Sequence, residues 1–280
     1  MKFLSKPNQP LKWLLMLGFV ALASVAHAAV QPETAVGFPR DVSLNGHRID
    51  WLIDITGIFT IILFVIMCIW MTIAYFFHDE GHQADYDHGH SKHHIIIALA
   101  LSAGIFVVVD GNLFVNSIKD LDEAFWNFSI PDENPDTVRI EVNARQWAWQ
   151  MRYAGPDDEW NTADDIVTLN DMRIPVDTPV HVQLAASDVI HSFWLPNLRQ
   201  KMDAVPGYVN QLWFQATETG EFDLACAQHC GTNHYKMKGK LTILSKEDYA
   251  AWHAERTANC ARAFDAEDTS AQWGWAWKQF

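Results

Sequence analysis

Apolar positions divide the chain into two regimes. From 51 to 77 the sequence is almost uninterruptedly apolar, broken only by Asp54, Thr56, Gly57, Thr60 and Thr72. A second run covers 95–118, with Asp110, Gly111 and Asn112 inside it. A helix needs about 20 apolar residues to cross a bilayer, so the pattern predicts transmembrane helices at 51–77 and 95–118. A carboxylate at that depth is costly unless it faces protein or water, which puts Asp110 near the interface or against a partner. A shorter apolar stretch, 14–25, follows Lys2, Lys6 and Lys12 and precedes Ala26-His27-Ala28-Ala29. That is the pattern of a signal peptide over 1–29, with small residues where a peptidase cuts. A first membrane helix is the alternative, and its apolar run is short for one.

Beyond Pro131 the period changes to two. V-R-I-E-V from Val138, V-H-V-Q-L from Val180, L-W-F-Q-A from Leu212 and K-L-T-I-L from Lys240 all alternate, with Pro and Gly turns between them. Short alternating strands separated by turns predict an all-β sandwich or barrel over 131–246. The stretch 247–280 reads as a terminal helix to about Phe264 and a tail ending in W-G-W-A-W, suited to a membrane interface or a partner. A cleaved signal and two spans leave both ends of the mature chain outside. On that reading 30–50 and 131–246 are periplasmic and the loop 78–94 is cytoplasmic. The loop carries His78, His82, His88, His90, His93 and His94 without regular spacing. We read it as a solvated polar loop, with metal binding as the alternative. Its single Lys92 gives no help from the positive-inside rule.

Net charge is −14, which excludes nucleic acid as a natural partner and points to a basic protein partner or to none. Cys68, Cys226, Cys230 and Cys260 do not form a disulfide framework, since two lie close together and two are isolated. No C-x-x-C-H occurs, so covalently attached haem c is not expected.

The chemistry concentrates at 225–237, A-C-A-Q-H-C-G-T-N-H-Y-K-M. Thiolates from Cys226 and Cys230, an imidazole from His234 and a thioether from Met237 are soft donors that suit copper better than calcium or magnesium. Two thiolates on a tight loop turned by Gly231 could bridge a pair of copper ions. A structural disulfide or a zinc site are the plainer readings of two nearby cysteines. A two-copper centre needs a second imidazole, and the upstream candidate is His191 in D-V-I-H-S-F-W-L-P.

C-x-x-x-C-G-x-x-H-x-x-M, preceded by V-I-H-S-F-W-L-P and K-M-D-A-V-P-G, resembles subunit II of the haem-copper cytochrome c oxidases, with its binuclear copper A centre. The resemblance runs in order from about Asp50 to Ser245. It implies a cupredoxin-like sandwich behind a two-helix transmembrane hairpin, in a bacterial inner membrane. It implies that Cys226 and Cys230 bridge two coppers, that His191 and Met237 complete one ion, and that His234 and the Gln228 carbonyl complete the other. In the family, electrons from cytochrome c enter at a tryptophan in a Q-W motif, which Trp147 matches in R-Q-W-A-W. The implied partners are subunit I with its haem and copper B, the other oxidase subunits, a cytochrome c-type donor and membrane lipid. The implied activity is oxygen reduction to water coupled to proton pumping. A copper A nitric oxide reductase is a neighbouring possibility. A membrane-anchored copper chaperone is a different class, but there Pro usually follows the second Cys and the pair precedes the His.

The chain departs from the family in three places. Gln228 stands where most relatives have a Glu whose carboxylate reaches a magnesium shared with subunit I; an amide is a poorer ligand for a hard cation, which puts magnesium at that interface in doubt. Ahead of the second span, H-S-K-H-H-I replaces the Glu and W-T that relatives often have. An acidic insertion over 155–171 also lies outside the common pattern. Its carboxylates could steer a basic cytochrome c together with Asp188, or could wrap calcium through Asp157, Asp158, Asn161, Asp164 and Asp165.

Overall fold

The computed structural model describes residues 38–78, 81–83, 86 and 88–260, with Cys260 described by its backbone alone. The signal peptide read over 1–29 and the aromatic tail lie outside the described residues. By chain contacts the protein divides into two units, one holding 54–101 and the other 41–53 with everything from 102 onward.

In the first unit, helix α1 (Gly46–Phe77) contributes all but its first turns. At 32 residues it is long and apolar enough to cross a membrane. Large apolar side chains are exposed all along it, from Ile58 and Phe64 to Trp70 and Tyr75. A helix apolar on every side has no polar face for water and is matched to lipid. Its hydroxyls are satisfied locally, Thr60 donating to the Thr56 carbonyl (2.8 Å) and Thr72 to that of Cys68 (2.6 Å). Helix α2 (Lys92–Ile105) opens the second candidate span. From residue 102, in the second unit, the helical path continues through a π-helical turn at Phe106–Asp110, α3 (Gly111–Asp120) and a second π turn at Leu121–Phe125. The first π turn ends at the D-G-N interruption noted in the sequence.

The second unit is a sandwich of two five-stranded sheets. The first has the order β3-β2-β1-β5-β8 and the second β4-β10-β9-β6-β7. The strands are β1 (Val138–Arg145), β2 (Ala148–Tyr153), β3 (Ile166–Leu169), β4 (Asp171–Pro175) and β5 (Pro179–Ala186). They continue as β6 (His191–Leu195), β7 (Gln200–Ala204), β8 (Asn210–Gln215), β9 (Gly220–Cys226) and β10 (Lys238–Leu244). Among these described strands only β1–β5 and β4–β10 pair in parallel. Ile140, Val142 and Ala144 of β1 fill the core with Val182, Leu184, Phe193 and Leu241, as the period of two requires.

The alternate residues of β1, Glu141 and Asn143, are nearly as buried as the core. The outer face of this sheet is covered too: Phe128 packs on His181 (5.2 Å between rings), and Asp132 of the short helix α4 (Ser129–Glu133) reaches the same imidazole at 3.4 Å. Charges on that face are paired, Arg152 lying 3.3 Å from Glu141 and 3.7 Å from Asp165.

The first turns of α1 belong to this unit. Arg199 grips Asp50 through two bonds of 2.6 and 2.9 Å, and Arg48 pairs with Asp120 (3.0 Å) and Glu123 (3.2 Å). Helix α5 (Lys246–Cys260) closes the described part of the chain. The Ser245 hydroxyl accepts the Asp248 amide (3.0 Å) and donates to its carboxylate (2.8 Å), a capping arrangement at the helix start.

Candidate metal centre

Strand register brings the donors to one edge of the second sheet. Phe193 of β6 pairs with Cys226 of β9, and Lys238 of β10 pairs with Ala225. His191 therefore opens β6, Cys226 closes β9 and Met237 stands just ahead of β10, all at the same end. The intervening loop is tied at both sides. The Cys226 amide donates to the Met237 carbonyl (3.1 Å), and the Ala227 amide donates to Ser192 (3.0 Å). A short 3-10 turn, His234–Lys236, folds the loop back, with the His234 amide on the Gly231 carbonyl at 3.0 Å.

All six residues expected to hold metal meet here. The two sulphurs lie 3.7 Å apart, and both cysteines are free. The Cys226 sulphur is 3.1 Å from the Gln228 carbonyl, and that of Cys230 is 3.6 Å from His234 Nδ1 and 3.8 Å from the Met237 sulphur. His191 Nδ1 faces Met237 at 3.1 Å. The ligating atoms of His191, Cys226 and Cys230 all lie within 4.8 Å of one another, and the three residues are buried.

The donors are also prepared electronically. Asp188 accepts from His191 Nε2 at 2.9 Å, which leaves Nδ1 with its lone pair toward the sulphurs. Burial opposes the charge on Asp188, but bonds from His191 and from the Gln146 and Val189 amides hold its carboxyl below the usual range. Burial likewise works against a charged His191, yet Cys226 and Asp188 hold its pKa above the ordinary value. Burial raises the Cys226 thiol, but the interactions with His191, which favour the ion pair of imidazolium and thiolate, and with Ser192 and Gln228 outweigh it and bring the pKa down to about 6. Burial and the neighbouring Cys226 push Cys230 up to about 12. The second thiolate is thus the expensive one without a cation. Two buried cysteine sulphurs, two imidazoles, a thioether and a single carbonyl are a donor set that fits soft copper, and one oxygen among six donors does not suit calcium or magnesium.

Trp147 is half-buried against the core, and its indole N–H donates to the Cys230 carbonyl at 3.2 Å. Trp149 is fully buried, edge-on to Phe193 (5.5 Å) and His191 (6.1 Å), so it is a wall of the centre. Sequence reasoning missed Gln146, although it stands in the same R-Q-W-A-W stretch, and gave Asp188 a surface role only. The Gln146 amide donates to Asp188 at 2.6 Å, and its side-chain nitrogen donates to the Cys230 carbonyl at 2.8 Å. The acidic insertion lies elsewhere: Asp158 meets Arg139 at the start of β1 (3.7 Å), and Asp165 is buried against Arg152.

A family model described as the periplasmic domain of cytochrome c oxidase subunit II matches residues 138–243. The alternative cytochrome c oxidase subunit 2 of Bradyrhizobium diazoefficiens is 30% identical over 268 residues, covering 85% of this chain and 89% of the relative. Cytochrome c oxidase subunit 2 of Alkalihalophilus pseudofirmus is 37% identical over 158 residues, 56% of this chain and 39% of that protein. Among solved structures, the periplasmic domain of subunit II of cytochrome oxidase from Bradyrhizobium japonicum matches 44% of this chain and 94% of its own, at 28% identity and a TM-score of 0.39.

Proposed function

Because the chain belongs to the cytochrome c oxidase subunit II family, we propose that it is the electron-accepting subunit of a haem-copper cytochrome c oxidase. Its sandwich is the family's cupredoxin-like domain, matched over residues 138–243. On this reading it takes electrons singly from a cytochrome c-type donor and passes them to haem in subunit I, where oxygen is reduced to water and protons are pumped. The observation that carries the reading is the convergence of His191, Cys226, Gln228, Cys230, His234 and Met237 at one sheet edge.

Cys226, Cys230, His191, His234, Met237 and the Gln228 carbonyl would hold the binuclear copper centre, which would supply a one-electron couple. The chain's own residues do the rest. Asp188 fixes the His191 ring, while Trp149 and Phe193 keep water from its inner side. Trp147 offers a flat π-surface bonded through its indole nitrogen to Cys230. The two apolar helices would anchor the subunit in a bacterial inner membrane beside subunit I, with the metal domain periplasmic and the His-rich loop cytoplasmic. The neutral Gln228 argues against a carboxylate-bound magnesium beneath the centre.

The test is to isolate the assembled complex and measure subunits, metals and electron donor together. Two coppers per chain beyond the copper B of subunit I, with strong visible absorption and reduction by a cytochrome c, are expected. A complex with no copper beyond copper B, or two such coppers persisting after Cys226→Ser, overturns the reading.

A further inference from the structure

We propose that Gln146 is a positioning residue that clamps the two metal-holding segments, 188–191 and 226–237, to one another across the sandwich. The inference rests on the reading of those segments as a metal centre.

The two segments belong to the second sheet, whereas Gln146 stands in the turn between β1 and β2 of the first. From that turn it bonds to both. Its backbone amide donates to Asp188 Oδ2 at 2.6 Å, and the other oxygen of the same carboxylate takes His191 Nε2 at 2.9 Å. Its side-chain amide donates to the Cys230 carbonyl at 2.8 Å, where the Trp147 indole adds a second donor at 3.2 Å. One residue therefore orients a ligand imidazole through Asp188 and a ligand cysteine through its own carbonyl.

The fit is built from the other side as well. Gly231 has φ +115°, a backbone conformation side chains rarely adopt, and a Cβ there would lie 2.8 Å from Gln146 Nε2 and 3.3 Å from the Trp147 ring. The loop thus turns its open glycine toward the amide that holds it. The chemistry of the position is also specific. Both targets are acceptors, so the residue needs a backbone N–H and a donating side chain; a carboxylate at 146 would face the Cys230 carbonyl with no hydrogen to share.

The test uses the full chain with Gln146→Ala and Gln146→Glu. Copper transfer to a chelator is timed and the visible spectrum recorded, and hydrogen exchange over 228–234 is followed in the metal-free protein. Outer partners of metal ligands typically change affinity by about 10–100-fold, so both variants should lose copper about tenfold faster, with a shifted absorption band. Exchange over 228–234 should quicken while β1 and β5 stay as in the wild type. Wild-type copper retention and spectrum in both variants overturn the clamp, even where loop exchange changes. A wild-type chain that holds no copper defeats the metal reading instead, and the clamp then stands or falls on loop exchange alone.

Discussion

Trp147 and Trp149 sit two positions apart and do different work. Trp149 is fully buried between Phe193 and His191. Its replacement by Ala should destabilise the domain by about 3–5 kcal/mol, as large core truncations do. Trp147 is half-buried, so Trp147→Ala should cost about 1–2 kcal/mol of stability while slowing electron delivery from the donor. Denaturant midpoints and stopped-flow reduction separate the two effects, and equal stability losses would contradict the assignment. A second residue-level prediction concerns Glu141. Burial pushes its carboxyl up to about 7 against the pull of Arg152, and burial pushes Asp165 up to about 6 against the Asn161 amide and Arg152. The native state therefore keeps protons that the unfolded chain has already released, so stability falls as pH rises from about 4.5 to 7. Glu141→Gln should flatten that fall by a few degrees in thermal midpoint between pH 5 and 8, at roughly 2–4 °C per kcal/mol. The soft donors were legible because one loop holds most of them within thirteen residues. Gln146 was not, since its partners Asp188 and Cys230 lie 42 and 84 positions away.

Elements were legible where the burial pattern follows from the chain alone. Alternation found β1, β5, β8 and β10, but it implied that His181 and Gln183 face water. Both are buried, His181 under Phe128 and Asp132 of α4, and nothing local in the sequence announces a cover. The apolar run likewise begins at Trp51, yet α1 starts at Gly46, because Arg48 and Asp50 find ionic partners far along the chain. Helix α5 carries its own prediction. Trp252 packs edge-on to Tyr153 at 5.3 Å under the Arg173 guanidinium at 5.5 Å, and only 6% of it is exposed. Trp252→Ala should lower stability by about 3 kcal/mol and speed hydrogen exchange across 246–260. The visible spectrum of the copper-loaded protein should not change, since α5 follows the end of β10 that lies seven strand residues, about 20 Å, from Met237. A shifted spectrum would show that the helix supports the centre.

At the scale of the whole molecule, a net charge of −14 suggests steering of a basic donor, and the acidic insertion is the obvious place to look. The topology argues otherwise. Asp158 reaches Arg139 at the start of β1, while Trp147 follows the other end of that strand, about 20 Å away at roughly 3.3 Å per residue. Exposed charges separated by more than about 8 Å are largely screened at physiological salt. Asp165, moreover, is buried with Arg152 and has no free charge to offer a partner. The loops at the metal end instead expose Val189, Ile190, Tyr208 and Tyr235, and aromatic side chains commonly dominate the energy of such contacts. Replacing Asp157, Asp158 and Glu159 together with their amides should therefore change the second-order rate of reduction by less than about twofold, leaving its ionic-strength slope near that of the wild type. Tyr235→Ala should raise KM for the donor several-fold with little change in that slope. A collapse of the salt dependence in the triple amide variant would mean that the donor spans the domain from Trp147 to the insertion, and would return docking to the acidic loop.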